Sequence, residues 1–151
     1  MDNQDTIDIL NTLIETCNDG ERGFRNVAEH AHSADLKTLF TSRAEDCRQA
    51  CADLRAQVLA LGGDPETGGS ASGALHRGWV AILGALSGHS DKSLLEACER
   101  GEDSALERYR DALDQALPDN IRMLIERQYE GVKRNHAQVR SLRDQARANA
   151  S

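Results

Sequence analysis

Aromatic residues make up only 3% of this chain: two Phe, two Tyr and one Trp among 151 residues. The core must therefore be built from Leu, Ile, Val, Ala and Cys. Proline occurs only twice, at Pro65 and Pro118, so long stretches hold nothing that interrupts a helix. No apolar run approaches the ~20 residues that span a bilayer. The segment Met1-Asp2-Asn3-Gln4-Asp5 has neither the basic nor the apolar part of a secretory leader. A cytoplasmic protein without a membrane partner is expected. Positive charge is short: 18 Lys and Arg stand against 25 Asp and Glu, a net charge of -7. Such a surface repels phosphate backbones, so nucleic acid is not an expected partner. No CxxC pair occurs, and Cys17, Cys47, Cys51 and Cys98 are expected to be thiols. There is no hydrolase motif and no phosphate-binding loop. Ser70, set among glycines, has no strand before it.

Apolar residues spaced by three and four dominate what is present. They predict helix A from about Thr6 to His32, through Ile7, Leu10, Ile14, Cys17, Phe24 and Ala28. Ser33 is a good N-cap for helix B, whose stripe runs Leu36, Phe40, Ala44, Cys47, Cys51, Leu54 and Val58. Gly62-Gly63-Asp64-Pro65 stops it. A connection over about 62–90 follows, rich in Gly and Ser at first, then carrying a short helix from about Ala74 to Leu86. Helix C is expected from about Asp91 to Ala116, and helix D from Pro118, with a tail that frays after Arg147. The chain thus predicts a single all-α domain over residues 1–151.

A repeat stands out. Leu13-Ile14-Glu15-Thr16-Cys17-Asn18-Asp19-Gly20-Glu21 returns as Leu94-Leu95-Glu96-Ala97-Cys98-Glu99-Arg100-Gly101-Glu102, with five positions identical. Helices A and C are thereby expected to be related by an approximate two-fold, with Glu21 and Glu102 at equivalent points. Helices B and D align more weakly, Arg43 on Gln128 and Cys51 on His136.

Two long helices, a long crossover and two more long helices match an antiparallel four-helix bundle of ferritin-like form. Four motifs carry a closer resemblance: the first repeat copy, Gly68-Gly69-Ser70-Ala71-Ser72-Gly73-Ala74-Leu75-His76-Arg77-Gly78-Trp79, Cys98-Glu99-Arg100-Gly101-Glu102-Asp103, and Glu126-Arg127-Gln128-Tyr129-Glu130-Gly131-Val132. Together they resemble a mainly proteobacterial four-helix-bundle family of the ferritin-like superfamily, a domain of unknown function. The resemblance covers almost the whole chain. It implies the fold and, through the superfamily, a stress-related role, but no reaction.

Di-iron members of that superfamily use one Glu from each of two helices and a Glu-x-x-His from each of the others. Here Glu21 and Glu102 suit the single-Glu positions, and Glu99, three residues before Glu102, could add an oxygen. No Glu-x-x-His occurs in helix B or D. Reflection about the turns sets Arg43 and Gln128 beside the glutamates, as polar partners for buried carboxylates. One reading is a polar network in place of metals; the other is a mononuclear or degenerate metal site. The same reflection gathers Cys17, Cys47, Cys51, Cys98 and His136 into a second layer. That layer is either packed core, a soft-metal site for Zn(II) or Cu(I), or a redox sensor. On the crossover, Trp79 is expected to anchor the short helix while His76 and Arg77 bond backbone or carboxylates, the alternative being a partner surface.

The expectation is therefore a non-enzymatic, ferritin-like, homo-oligomeric bundle, a dimer being favoured, with a degenerate di-iron site and no cofactor. The alternatives are a binder of a single Fe, Zn or Cu ion and a protein-interaction scaffold.

Overall fold

The computed structural model describes residues 2–65 and 90–150. The chain forms four long helices and, among the described residues, no strand: α1 Asn3–His30, α2 Ala34–Ala60, α3 Asp91–Leu113 and α4 Asp119–Ala150. The expected short helix at Ala74 to Leu86, and with it His76, Arg77 and Trp79, lies outside the described residues.

Caps explain the boundaries. Asp2 accepts a hydrogen bond from the Asp5 amide at 2.8 Å and starts α1 three residues earlier than the apolar stripe suggests. Ser33 Oγ accepts from the Leu36 amide and Ser90 Oγ from the Ser93 amide, each freeing its helix of one orphan donor. Past α2, Gly62 takes φ +79°, a left-handed turn that costs other residues a Cβ clash. Helix α3 ends at Leu113, short of the expected Ala116. There the Arg122 guanidinium donates to the carbonyls of Leu113 and Gln115 and replaces the lost intrahelical bonds. The Pro118 carbonyl accepts the first bond of α4, from the Arg122 amide at 2.8 Å. Helix α4 runs on to Ala150 rather than fraying at Arg147.

The α1–α2 and α3–α4 links are short, so each pair packs along its length, and α1 packs on α3. The last pair is antiparallel: Asp91, at the start of α3, accepts from the His32 and Ser33 amides just beyond the end of α1 (2.8 and 3.1 Å). By contrast α2 and α4 scarcely meet.

Two apolar clusters fill the interior. One joins Leu10, Leu13, Ile14 and Cys17 to Leu54, Val58, Tyr109, Ile121 and Ile125. The other joins Phe24 and Val27 to Phe40, Leu94, Leu95, Cys98 and Val139. Each fully buried side chain of this kind contributes about 1.5–3 kcal/mol by leaving water. Gly20 and Glu102 follow the first cluster on α1 and precede it on α3, so the middle of the bundle is where apolar packing gives way.

Candidate functional site

The middle layer is asymmetric. Glu102 is buried, 4% exposed, and its Oε1 has no hydrogen-bond partner. Burial pushes its carboxyl up to about 8, only partly opposed by the positive charge of Arg43, so it is largely protonated at neutral pH. Glu21 is half-buried and bonds Arg25 at 2.7 Å, one helical turn on. Arg25 also reaches Glu45 across the α1–α2 seam at 3.1 Å. The two repeat copies differ at that turn: Leu106 stands after Glu102 where Arg25 stands after Glu21.

Arg43 does not pair with either glutamate. It bonds Asp46 at 2.6 Å and, across to α4, the Gln138 side-chain oxygen at 3.1 Å, while its Nε is buried without a partner. Its neighbour on its own helix is within easy reach, and a single-turn ion pair costs less ordering than one across the bundle. Gln128 likewise bonds neither glutamate. Its oxygen accepts from the Tyr109 hydroxyl at 2.8 Å, and its amide donates to the Ala50 carbonyl at 3.3 Å. The two cross-links Arg43–Gln138 and Gln128–Ala50 bridge the α2–α4 seam. Between them opens a cavity of about 560 Å³. Its floor holds Cys17, Gly20, Gly101, Glu102 and Tyr109, and its walls hold Cys47 and Gly131.

The four thiols do not form one layer: Cys17, Cys47 and Cys51 lie near one another about Tyr109, and Cys98 lies apart. Cys17 touches the Tyr109 hydroxyl at 3.4 Å, and Cys51 donates to the Asn18 side-chain oxygen at 3.2 Å. Cys47 packs so near α1 that a Cβ at Gly20 would sit 3.0 Å from its sulfur. Cys98 belongs to the other apolar cluster. The reason is direction: with α1 and α3 antiparallel, residues four before Glu21 and four before Glu102 fall on opposite sides of the middle layer. Burial raises Cys17 to about 12 and holds Cys47 and Cys98 well above the ordinary thiol range. As they stand, these sulfurs are neutral packing groups rather than thiolates.

His136 leaves the sulfurs for α3. Its Nε2 lies 2.6 Å from Asp103 Oδ1. Together with Glu99 these residues bring one ligand atom each within 4.8 Å of the others, the one such group of three found among the described residues. Glu99 is held by Arg143, and by Arg140 at 3.7 Å. It therefore turns towards α4 and not to Glu102. Asp103 was not among the expected ligands. Its four-residue spacing from Glu99, which puts both on one face of α3, was the available signal.

A di-iron centre does not fit the donors in the middle layer. Glu102 offers a buried carboxyl, but Glu21 is engaged by Arg25, Glu45 by Arg25 and Arg48, and Glu130 by Lys133. Neither α2 nor α4 supplies a Glu-x-x-His. Arg43 lines the same space, and a guanidinium repels the cations such a site gathers.

Comparison places this architecture among known proteins. The family model described as a domain of unknown function (DUF2383) matches residues 5–115. The fold is similar to a dodecameric thioferritin, the bacterioferritin-related protein from Bacteroides fragilis. The TM-score is 0.80 and the identity 17%, covering 99% of this chain and 91% of that one. It is also similar to a ferritin-like, diiron-carboxylate protein from Bacillus anthracis str. Ames. There the TM-score is 0.72 and the identity 17%, over 95% of this chain and 99% of that one. At such identity the likeness is one of fold. Among curated proteins none matches.

Proposed function

This chain belongs to the family described as a domain of unknown function (DUF2383), and on that premise we propose that it is a non-enzymatic ferritin-like bundle with a degenerate di-iron layer. One observation carries the reading. The buried carboxyl of Glu102 borders a cavity whose lining holds no imidazole and whose other carboxylates, Asp46 and Asp53, are taken by Arg43 and Gln49. A guanidinium in that space repels a pair of ferrous ions. The test is anaerobic loading with Fe(II) followed by oxygen. The expected result is oxidation no faster than in protein-free buffer and no diferric absorbance. Two irons bound per chain, with rapid oxygen uptake, would overturn the proposal.

Self-association belongs to the same reading, a dimer being favoured. Support comes from the similar Bacteroides fragilis protein, which is a dodecamer, and from Met123, 62% exposed on α4. Light scattering across a dilution series tests it, and a monomer at every concentration would contradict it.

A second reading has its own observation. Glu99, Asp103 and His136 make a one-imidazole, two-carboxylate group of the kind that holds Zn(II) with a coordination position left open. Binding would require Glu99 to leave Arg143. Zinc should raise Tm in the wild type and not in His136→Ala if this group is used. An equal response in both would discard it.

A further inference from the structure

We propose that the open α2–α4 face is where two copies of this chain meet, turned about a two-fold axis parallel to the helices so that α2 of each lies over α4 of the other. The inference rests on the self-association put forward above and names the surface that carries it.

The register of α2 on α4 comes from the two side-chain bridges, Arg43 to Gln138 and Gln128 to the Ala50 carbonyl. The two helices are antiparallel, so a step forward from Arg43 is a step back from Gln138. Asp46 is then level with Arg134, and Asp53 with Arg127. The two acids on α2 are seven residues apart, as are the two bases on α4. Seven residues are about two turns, so each pair keeps to one edge of its helix. All four line the cavity, with Asp46, Arg127 and Arg134 exposed at its rim.

These opposite charges do not close on one another within the chain. Asp46 bonds Arg43, and Asp53 accepts from Gln49, both on α2. Arg127 and Arg134 make no ion pair among the described residues. A cationic edge thus stands unpaired on a chain of net charge -7, with an acidic edge level with it.

A second copy supplies the match. Rotation about an axis parallel to the helices keeps every height and exchanges left for right. Asp46 then meets the partner's Arg134, and Asp53 the partner's Arg127, each contact being made twice. The other face-to-face two-fold, with its axis across the helices, sets α2 on α2 and α4 on α4. It stacks like charges and is disfavoured. Met123, 62% exposed, stands one turn before Arg127 on the same edge of α4, and in the matched arrangement it lies over the partner's Ala56 and Ala60. The size suits a dimer. Helix α2 has 27 residues, which at 1.5 Å each is about 40 Å, and two such helices side by side offer about 800 Å², one partner's share of a standard interface.

Sedimentation equilibrium in 50 mM and 500 mM NaCl tests the proposal on the wild type, Asp53→Arg, Arg127→Glu and an equimolar mixture of the two variants. The wild-type dimer should weaken at least tenfold at the higher salt, because exposed charge pairs are screened. Each variant alone should dimerise at least tenfold more weakly than the wild type, since it sets like charges together. The mixture should recover a dimer within about threefold of the wild type, because only the mixed pair matches acid to base at both contacts. Should either reversal fail to fold, Asp53→Asn and Arg127→Gln remove the charge without reversing it, and each should still weaken the dimer at least threefold. A wild-type dimer untouched by these changes, or a mixture no tighter than its components, would overturn this interface and leave self-association standing. A monomer at every concentration would remove both, so the two failures are told apart.

Discussion

Replacing Glu102 by glutamine should stabilise this protein, by an amount that grows with pH. Burial lifts the Glu102 carboxyl to about 8, against ~4.3 for glutamate in an unfolded chain. Below pH ~4.3 both states hold the proton and nothing is lost. As pH rises from there towards 8 the unfolded chain gives up its proton while the folded one keeps it, so stability falls. Above 8 the loss levels off. At about 1.4 kcal/mol per pK unit the full loss is about 5 kcal/mol, of which about 3–4 kcal/mol has accrued by pH 7. Glutamine has the same shape and no titration, so its curve lacks this decline. Other ionisable groups are common to both proteins and cancel in the difference. Urea melts of the two proteins, followed at 222 nm at pH 4.5, 6, 7 and 8.5, measure it. The gap should widen steadily in favour of Glu102→Gln. A gap that stays constant over this range would show that Glu102 is ionised throughout, and would refute the reasoning.

Three further substitutions probe the surroundings. Gly20→Ala gains about 1 kcal/mol of helix propensity but sets a Cβ 3.0 Å from the Cys47 sulfur. The single change should be neutral or destabilising, Cys47→Ala should restore the gain, and additive melting data would contradict the close approach. Tyr109→Phe removes the donor to Gln128 and should cost about 1–3 kcal/mol for the acceptor left unsatisfied; an unchanged denaturation midpoint would argue that water takes its place. Asp91→Ala releases the His32 and Ser33 amides and should cost about 1–2 kcal/mol. Hydrogen exchange should then quicken at those two amides first, and global loosening without a local effect would contradict the role given to Asp91.

The fold was legible because it rests on local signals: the three-and-four spacing, Ser33 as a cap, and Gly62 as a stop. Each acts within a turn or two and needs no knowledge of partners. The site was less legible because the repeat misled where direction mattered. Five identical positions suggested that Cys17 and Cys98 share a layer, yet the antiparallel course of α1 and α3 puts one in each apolar cluster. The same repeat made Glu21 and Glu102 equal, although Arg25 against Leu106 already distinguished them. Arg43 was expected to face the glutamates because its reach across the bundle was counted and its neighbour Asp46 was not. His136 moved from sulfur to carboxylate because Asp103 is nearer in the fold than any reflection about a turn could tell.

Anomalous diffraction from crystals soaked anaerobically in Fe(II) tests the central claim most directly. The account predicts no iron within ligand distance of Glu102, whatever binds elsewhere on the surface. Two anomalous peaks about 3.5–4 Å apart, bridged by Glu102 and a Glu21 swung inward from Arg25, would contradict it.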